Sequence, residues 1–144
     1  MRCKYLIIIG LIGVLTIGCT SQTVTQTPTA TTVATSDIKP GNFQAGEHPT
    51  QGQVTVVKEA ETSYLEFDQN FKTDQGPDLY VILYRSAKPP ISGIQEKDYV
   101  SIARLQKTSG NQRYALPKNI NLQEFKSVAI WCQKFNATFG YAVL

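Results

Sequence analysis

Histidine, methionine and cysteine are scarce in this chain of 144 residues, which holds one His, one Met and three Cys. Each scarcity excludes a chemistry. A structural zinc site takes about four Cys or His ligands, more than this chain can gather. A blue-copper centre wants two His with a Cys, and one His falls short. A haem iron would find His48 on one side, but the lone methionine is Met1. Its second ligand would then be a thiolate, or that position would stay open. Nucleotide signatures are missing as well: there is neither a phosphate loop nor a dinucleotide fingerprint. No Gly-x-Ser-x-Gly elbow marks a hydrolase.

Basic excess is also lacking once the N-terminus is set aside. Arg2 and Lys4 precede thirteen apolar or weakly polar residues, Tyr5 to Ile17. That run suits a signal-peptide core and is short of the roughly 20 residues a spanning helix needs. Gly18 and Cys19 follow at once, a pairing that resembles the lipobox of bacterial lipoproteins. The resemblance implies that residues 1–18 are removed and that Cys19, acylated with palmitate-like chains, becomes the new N-terminus. The pattern departs in one place: Thr16 stands where that family usually has Leu, and Leu15 lies one position early. An ordinary cleaved signal peptide and an uncleaved anchor stay open beside it. Two acyl chains hold a protein stably on a membrane where one does not. The expected location is therefore the cell envelope, membrane-anchored and outside the cytosol. Without Arg2 and Lys4 the 14 basic residues fall to 12 against 11 acidic, a balance of +1. No basic stripe remains, so nucleic acid is not an expected partner.

The next stretch, residues 19–40, is rich in Thr with Ser, Gln and Ala and has no aromatic residue. It cannot bury a core and reads as a flexible tether. The globular part is then residues 41–144, enough for one modest core. Its pattern is strand-like almost throughout. Val54 and Val56 alternate with Thr55, and Leu65 and Phe67 share a face opposite Tyr64 and Glu66. Asp78 to Arg85 is apolar on both faces, as a central strand would be. Tyr99–Leu105, Gln112–Leu116, Ser127–Phe135 and Ala137–Leu144 complete the set, separated by Gly and Pro turns. Only Leu122 to Ser127 suggests a helical turn. Short strands at this spacing predict an all-β fold, an antiparallel β-sandwich or flattened barrel.

With Cys3 gone and Cys19 acylated, Cys132 has no intrachain partner. Along a strand, Val128, Ile130 and Cys132 lie on one face, and Ala129 and Trp131 on the other. Two aliphatics in phase direct Cys132 toward the core, where a thiol is commonly an inert small residue. A reactive Cys132 would need a cation or base close by, and His48 is the one histidine that could serve. Haem or metal ligation through Cys132 and His48 is left open by composition. His48, beside Pro49 and before a strand, reads first as a surface or loop histidine bonding a backbone group. Trp131 reads as packing on the second face, or as a residue that shapes a pocket beside the thiol. Asp78, in Gly76-Pro77-Asp78, reads as a turn residue bonding local amides or, with Trp131, as a residue that shapes the pocket.

Taken in order, four segments resemble the DM-thirteen domain, also called an electron-transfer domain. They are Gly41–Val56 with His48 and Gly52; Tyr64–Tyr84 with Phe71 and Gly76-Pro77-Asp78-Leu79-Tyr80; Leu105–Pro117 with Gly110, Gln112, Tyr114 and Leu116; and Ser127–Leu144 with Ile130-Trp131-Cys132 and Phe139-Gly140. The resemblance spans essentially all of residues 41–144. It implies a β-sandwich of secreted and cell-surface proteins, sometimes joined to cytochrome-like DOMON domains. It also implies a redox role for the motif cysteine, which falls on Cys132. This chain has no DOMON domain attached, so a redox partner would be a separate molecule.

Two readings follow. In one, the chain is a membrane-tethered redox module centred on Cys132, with His48 as neighbour or base. In the other it is a non-enzymatic module that binds a surface protein, and Cys132 only fills the core. No acid–base pair or nucleophile motif points to a classical enzyme.

Overall fold

A computed structural model describes residues 33–35 and 38–144. The expected signal segment, Cys19 and most of the expected tether lie outside the described residues. The strands are β1 (Val33–Thr35), β2 (Gly41–Ala45), β3 (Thr50–Gln51), β4 (Gln53–Glu59), β5 (Thr62–Phe67) and β6 (Lys72–Thr73). They continue with β7 (Leu79–Tyr84), β8 (Tyr99–Arg104), β9 (Gln112–Ala115), β10 (Ser127–Cys132) and β11 (Ala137–Val143). Two 3-10 turns, Glu96–Asp98 and Leu122–Glu124, are the helical elements among the described residues. The second replaces the expected turn over Leu122 to Ser127: Asn121 caps it, and Ser127 already belongs to β10.

Every strand pairing is antiparallel, as the period-2 pattern requires. The main sheet runs β8-β7-β10-β11-β2-β4-β5-β9, with β1 beside β4, and β3 and β6 form a small separate ribbon. The sheet curls until β8 and β9 approach each other, giving the expected flattened, nearly closed barrel. The backbone of Val33–Thr35, inside the stretch read as tether, pairs with Val57–Glu59.

The alternation in β4 and β5 turns Val54, Val56, Leu65 and Phe67 inward, all essentially without exposure. Phe43, Phe67 and Phe71 meet edge-on or tilted with ring centroids 4.7–5.1 Å apart. Each such buried side chain contributes about 1.5–3 kcal/mol by leaving water. Gly52 has φ +102°, and a side chain there would overlap the Phe71 backbone, so glycine is what lets β3 and β4 meet the Phe71 turn. β7 and β10 carry apolar residues on both faces because both faces are covered. One face lines the interior. The other lies under the segment joining β7 to β8, which Thr138 holds: its N–H donates to the Ile91 carbonyl (2.7 Å) and its hydroxyl to Pro90 (2.6 Å).

Candidate functional site

Cys132 ends β10 at the inner face. Its register partners are Leu79 on β7 and Ala137 on β11. It shares the interior cluster with Val128, Ile130, Leu79 and Phe139 and has no exposed surface. Among the described residues it is the one cysteine, free, and its thiol makes no hydrogen bond. The strand phase read from the sequence is the phase observed.

His48 follows the β2 strand, where its N–H donates to the Phe139 carbonyl (3.1 Å). Its ring stacks on Phe139 at 3.9 Å between centroids, and Nδ1 sits 3.0 Å from an Asp74 carboxylate oxygen. The side chains of this pair are 35% and 52% exposed, so solvent screens it and it contributes little to stability. Phe139 is the extra residue of a β-bulge, since Ile130 faces Gly140 while Trp131 faces Thr138. The bulge is also where β11 comes closest to Thr50, against which any side chain at Gly140 would collide. His48 therefore meets the core through the Phe139 ring, and no hydrogen bond joins it to the thiol.

A shared haem or metal site does not fit this placement. His48 is committed to Asp74, and Cys132 is enclosed among hydrocarbons. Among the described residues no group of three or more His, Cys, Asp or Glu side chains is arranged to hold a metal ion.

Asp78 does not serve the local amides expected of a turn residue. Its carboxylate pairs with Arg104, whose Nε also donates to the Tyr80 hydroxyl (3.2 Å). Its backbone carbonyl receives the Gln133 N–H (3.0 Å), tying the start of β7 to the residue after Cys132. An open groove of about 170 Å³ lies alongside, bordered by Gly76, Leu79, Arg104 and Lys107. Leu79 separates that groove from the thiol.

Trp131 points away from Cys132. It is 5% exposed in a second cluster with Tyr84, Tyr141, Ile82, Ile94 and Ala129, flanked by Tyr80 and Tyr99. Its ring lies 4.9 Å from that of Tyr99, and its indole N–H donates to the Asn136 side-chain oxygen (3.0 Å). The structure thus joins His48 to Cys132 by no hydrogen bond, and it sets the Trp131 ring in a different cluster from the thiol.

Several residues matter here to which the sequence reading gave no structural role. Asn136 has φ +47° and closes the β10–β11 turn. Besides holding Trp131, its amide donates to the Ile94 carbonyl (3.1 Å). An asparagine between two strands was a usable signal, because it tolerates this left-handed backbone. Gln112 and Tyr114 form a buried pair that supplies partners for the loop before β9. The Gln112 amide bonds both the N–H (3.1 Å) and the carbonyl (2.9 Å) of Lys107, and the Tyr114 hydroxyl accepts the Gln106 N–H (3.0 Å). The aromatic stripe of Tyr80 and Tyr84 was visible as period-2 spacing, and its partners across the sheet were not.

A family model described as Electron transfer DM13 matches residues 42–144, the whole of the barrel from β2 onward. Neither a curated protein nor a solved structure matches this chain. The motifs that carry the likeness are accounted for by this geometry: the Phe71 turn, the Gln112–Tyr114 pair, the Phe139 bulge and the β10 strand ending in Cys132. The chain belongs to the electron transfer DM13 family.

Proposed function

We propose that this protein is an electron-transfer module held on the outer side of a membrane by acylation of Cys19, exchanging electrons with a separate partner. The observation that carries the reading is the family match over residues 42–144, which leaves no other domain among the described residues to account for. The short apolar run ending at Gly18 and Cys19 supports the anchor. Labelled palmitate should enter the full chain and fail to enter Cys19→Ser; incorporation that persists in the variant refutes the anchor.

Within that reading Cys132 is the thiol that reacts, and its burial sets the terms. Sulfenic acid or mixed-disulfide chemistry needs an accessible thiolate. Cys132 has no exposed surface, so reaction waits on local opening of the β10–β11 turn or of the Leu79 side. Thiol titration of the folded chain at several pH values tests this. Slow, pH-dependent labelling that stays well ahead of global unfolding is expected; labelling only on unfolding sinks the cysteine-centred mechanism.

A second reading is favoured by the same burial. Cys132 is a core residue of a surface-binding module, with zero exposure inside the apolar cluster. Under it, Cys132→Ala destabilises the barrel modestly and leaves the cellular role intact.

A further inference from the structure

We propose that the aromatic cluster on the outer face of β7, β8 and β10 is a one-electron relay, passing an oxidising equivalent from buried Trp131 to Tyr99 near the surface. The proposal rests on the electron-transfer reading and deepens it, and it makes no use of Cys132.

The aromatic residues are sorted by face. The interior cluster holds Phe43, Phe67, Phe71, Phe125 and Phe139, with Tyr114 as its single phenol. The outer cluster holds no phenylalanine: its rings are Trp131, Tyr84 and Tyr141, with Tyr80 and Tyr99 against them. Only indole and phenol rings give up an electron within reach of biological oxidants; a phenylalanine ring does not. Water contact at the hydroxyls accounts for some tyrosine on a partly covered face. Yet Trp131, Tyr84 and Tyr141 are 5%, 7% and 7% exposed, as enclosed as the interior phenylalanines, and packing alone would accept Phe there.

The rings are also contiguous. Trp131 lies 4.9 Å from Tyr99 with the planes at 49°, faces Tyr80 across β7, and Tyr84 faces Tyr99 across β8. Electron tunnelling weakens exponentially with distance, so short hops between touching rings outrun one long step. Proton chemistry gives the path a direction. The indole N–H is bonded to the Asn136 amide oxygen, too weak a base to remove its proton. Tyr99 instead lies in the field of the Glu96 carboxylate, which together with burial, the larger cause, holds its phenol above the ordinary pKa. An oxidised phenol is a strong acid, and a nearby carboxylate draws off its proton.

The step balances as follows in electrons and protons. A high-potential one-electron acceptor, such as a ferryl-type metal centre, takes one electron from the Trp131 indole and leaves a radical cation. Tyr99 gives one electron to that ring and its phenolic proton to Glu96 or to water. Trp131 is restored, and Tyr99 is a neutral radical. A phenol or thiol donor at the surface then supplies one electron and one proton and restores Tyr99.

Flash photolysis of the full chain with a photo-oxidised ruthenium tris-bipyridine complex tests this, because the chain has one Trp and its radical is unambiguous. The Trp131 radical should decay as a tyrosyl signal rises. Tyr99→Phe should lengthen the Trp131 radical's lifetime severalfold, Glu96→Gln should slow the transfer, and Tyr114→Phe, in the interior, should change neither. A Trp131 radical whose decay is the same in Tyr99→Phe, or the absence of any tyrosyl product, overturns the relay. Circular dichroism of each variant guards against misfolding, and the wild-type decay alone decides if a variant fails to fold. Running it beside the thiol titration of Cys132 separates the two ideas. An intact relay beside an inert thiol removes the cysteine mechanism only, and a reactive thiol without the relay removes this proposal only.

Discussion

The two faces of β10 share a backbone and differ in every other respect. The inner face presents Val128, Ile130 and Cys132 to a cluster whose rings are nearly all phenylalanine. The outer face presents Ala129 and Trp131 to a smaller cluster of tyrosines. Among the interior rings only Tyr114 carries a hydroxyl, and it has Gln112 and the Gln106 N–H. Outside, polar tips are led to Asn136, Gln44 and Arg104. The contrast shows that the motif cysteine and the motif tryptophan, adjacent in sequence, sit in separate environments. A mechanism that joins them as walls of one pocket has no support in this geometry.

The largest expected difference between the faces is in stability. Phe71→Ala empties a site touching two other interior rings and should cost about 3–5 kcal/mol. Trp131→Phe loses one hydrogen bond and part of a ring against a thinner cover, and should cost about 1–2 kcal/mol. Denaturant midpoints measure both. Equal losses would mean that the outer cluster is a second core in its own right.

Next in size is the thiol. Cys132→Ala removes one sulfur atom from the interior and should cost about 1 kcal/mol. Cys132→Ser keeps the shape but buries a hydroxyl with no acceptor aimed at it, costing about 1–3 kcal/mol. A serine variant as stable as the alanine variant would indicate that water reaches this position, and the reactive-thiol reading would gain.

Much of the inner face was legible in the sequence, and little of the outer one. Strand phase places Val54, Val56, Leu65, Phe67 and Cys132 inside because a period of two leaves a buried face no alternative. The same rule separates Trp131 from Cys132 but cannot say what covers Trp131. That cover is the segment from Arg85 to Asp98, which has no periodicity and is held by Asn136 of the β10–β11 turn and Thr138 of β11, some forty residues away. His48 illustrates the same limit. Nothing local pairs it with Asp74 or sets it on Phe139; the pairings of β2 with β11 and of β3 with β6 do that. Asp78 was assigned to local amides for want of any sign that β8 would bring Arg104 beside it.

Smaller effects test whether the outer tyrosines are there for their hydroxyls. Tyr114→Phe removes an acceptor for the Gln106 N–H and a donor to Gln112, and should cost about 1 kcal/mol. Tyr84→Phe removes a hydroxyl with no protein partner and should fall within about 0.5 kcal/mol of wild type. Such a result would show that folding does not require tyrosine at position 84, whereas a loss matching Tyr114→Phe would give the outer phenols a structural purpose.

Alkaline pH gives the finest comparison. Burial, as the larger cause, raises the phenols of Tyr84, Tyr99 and Tyr114 above their ordinary value. Asp98 adds to this at Tyr84 and Glu96 at Tyr99, while at Tyr114 the Gln106 hydrogen bond opposes it. A raised folded pKa means that the folded chain holds its proton where the unfolded chain has lost it. The resulting stability is fully present below about pH 10, the unfolded phenol value, and is lost as pH rises through the folded values. Ultraviolet titration of phenolate should therefore show these three ionising late, close to alkaline unfolding. Glu96→Gln should bring Tyr99 down without moving Tyr114. If Tyr99 titrates unchanged in that variant, Glu96 lies too far to receive its proton, and water is the base left to the electron chemistry of the outer face.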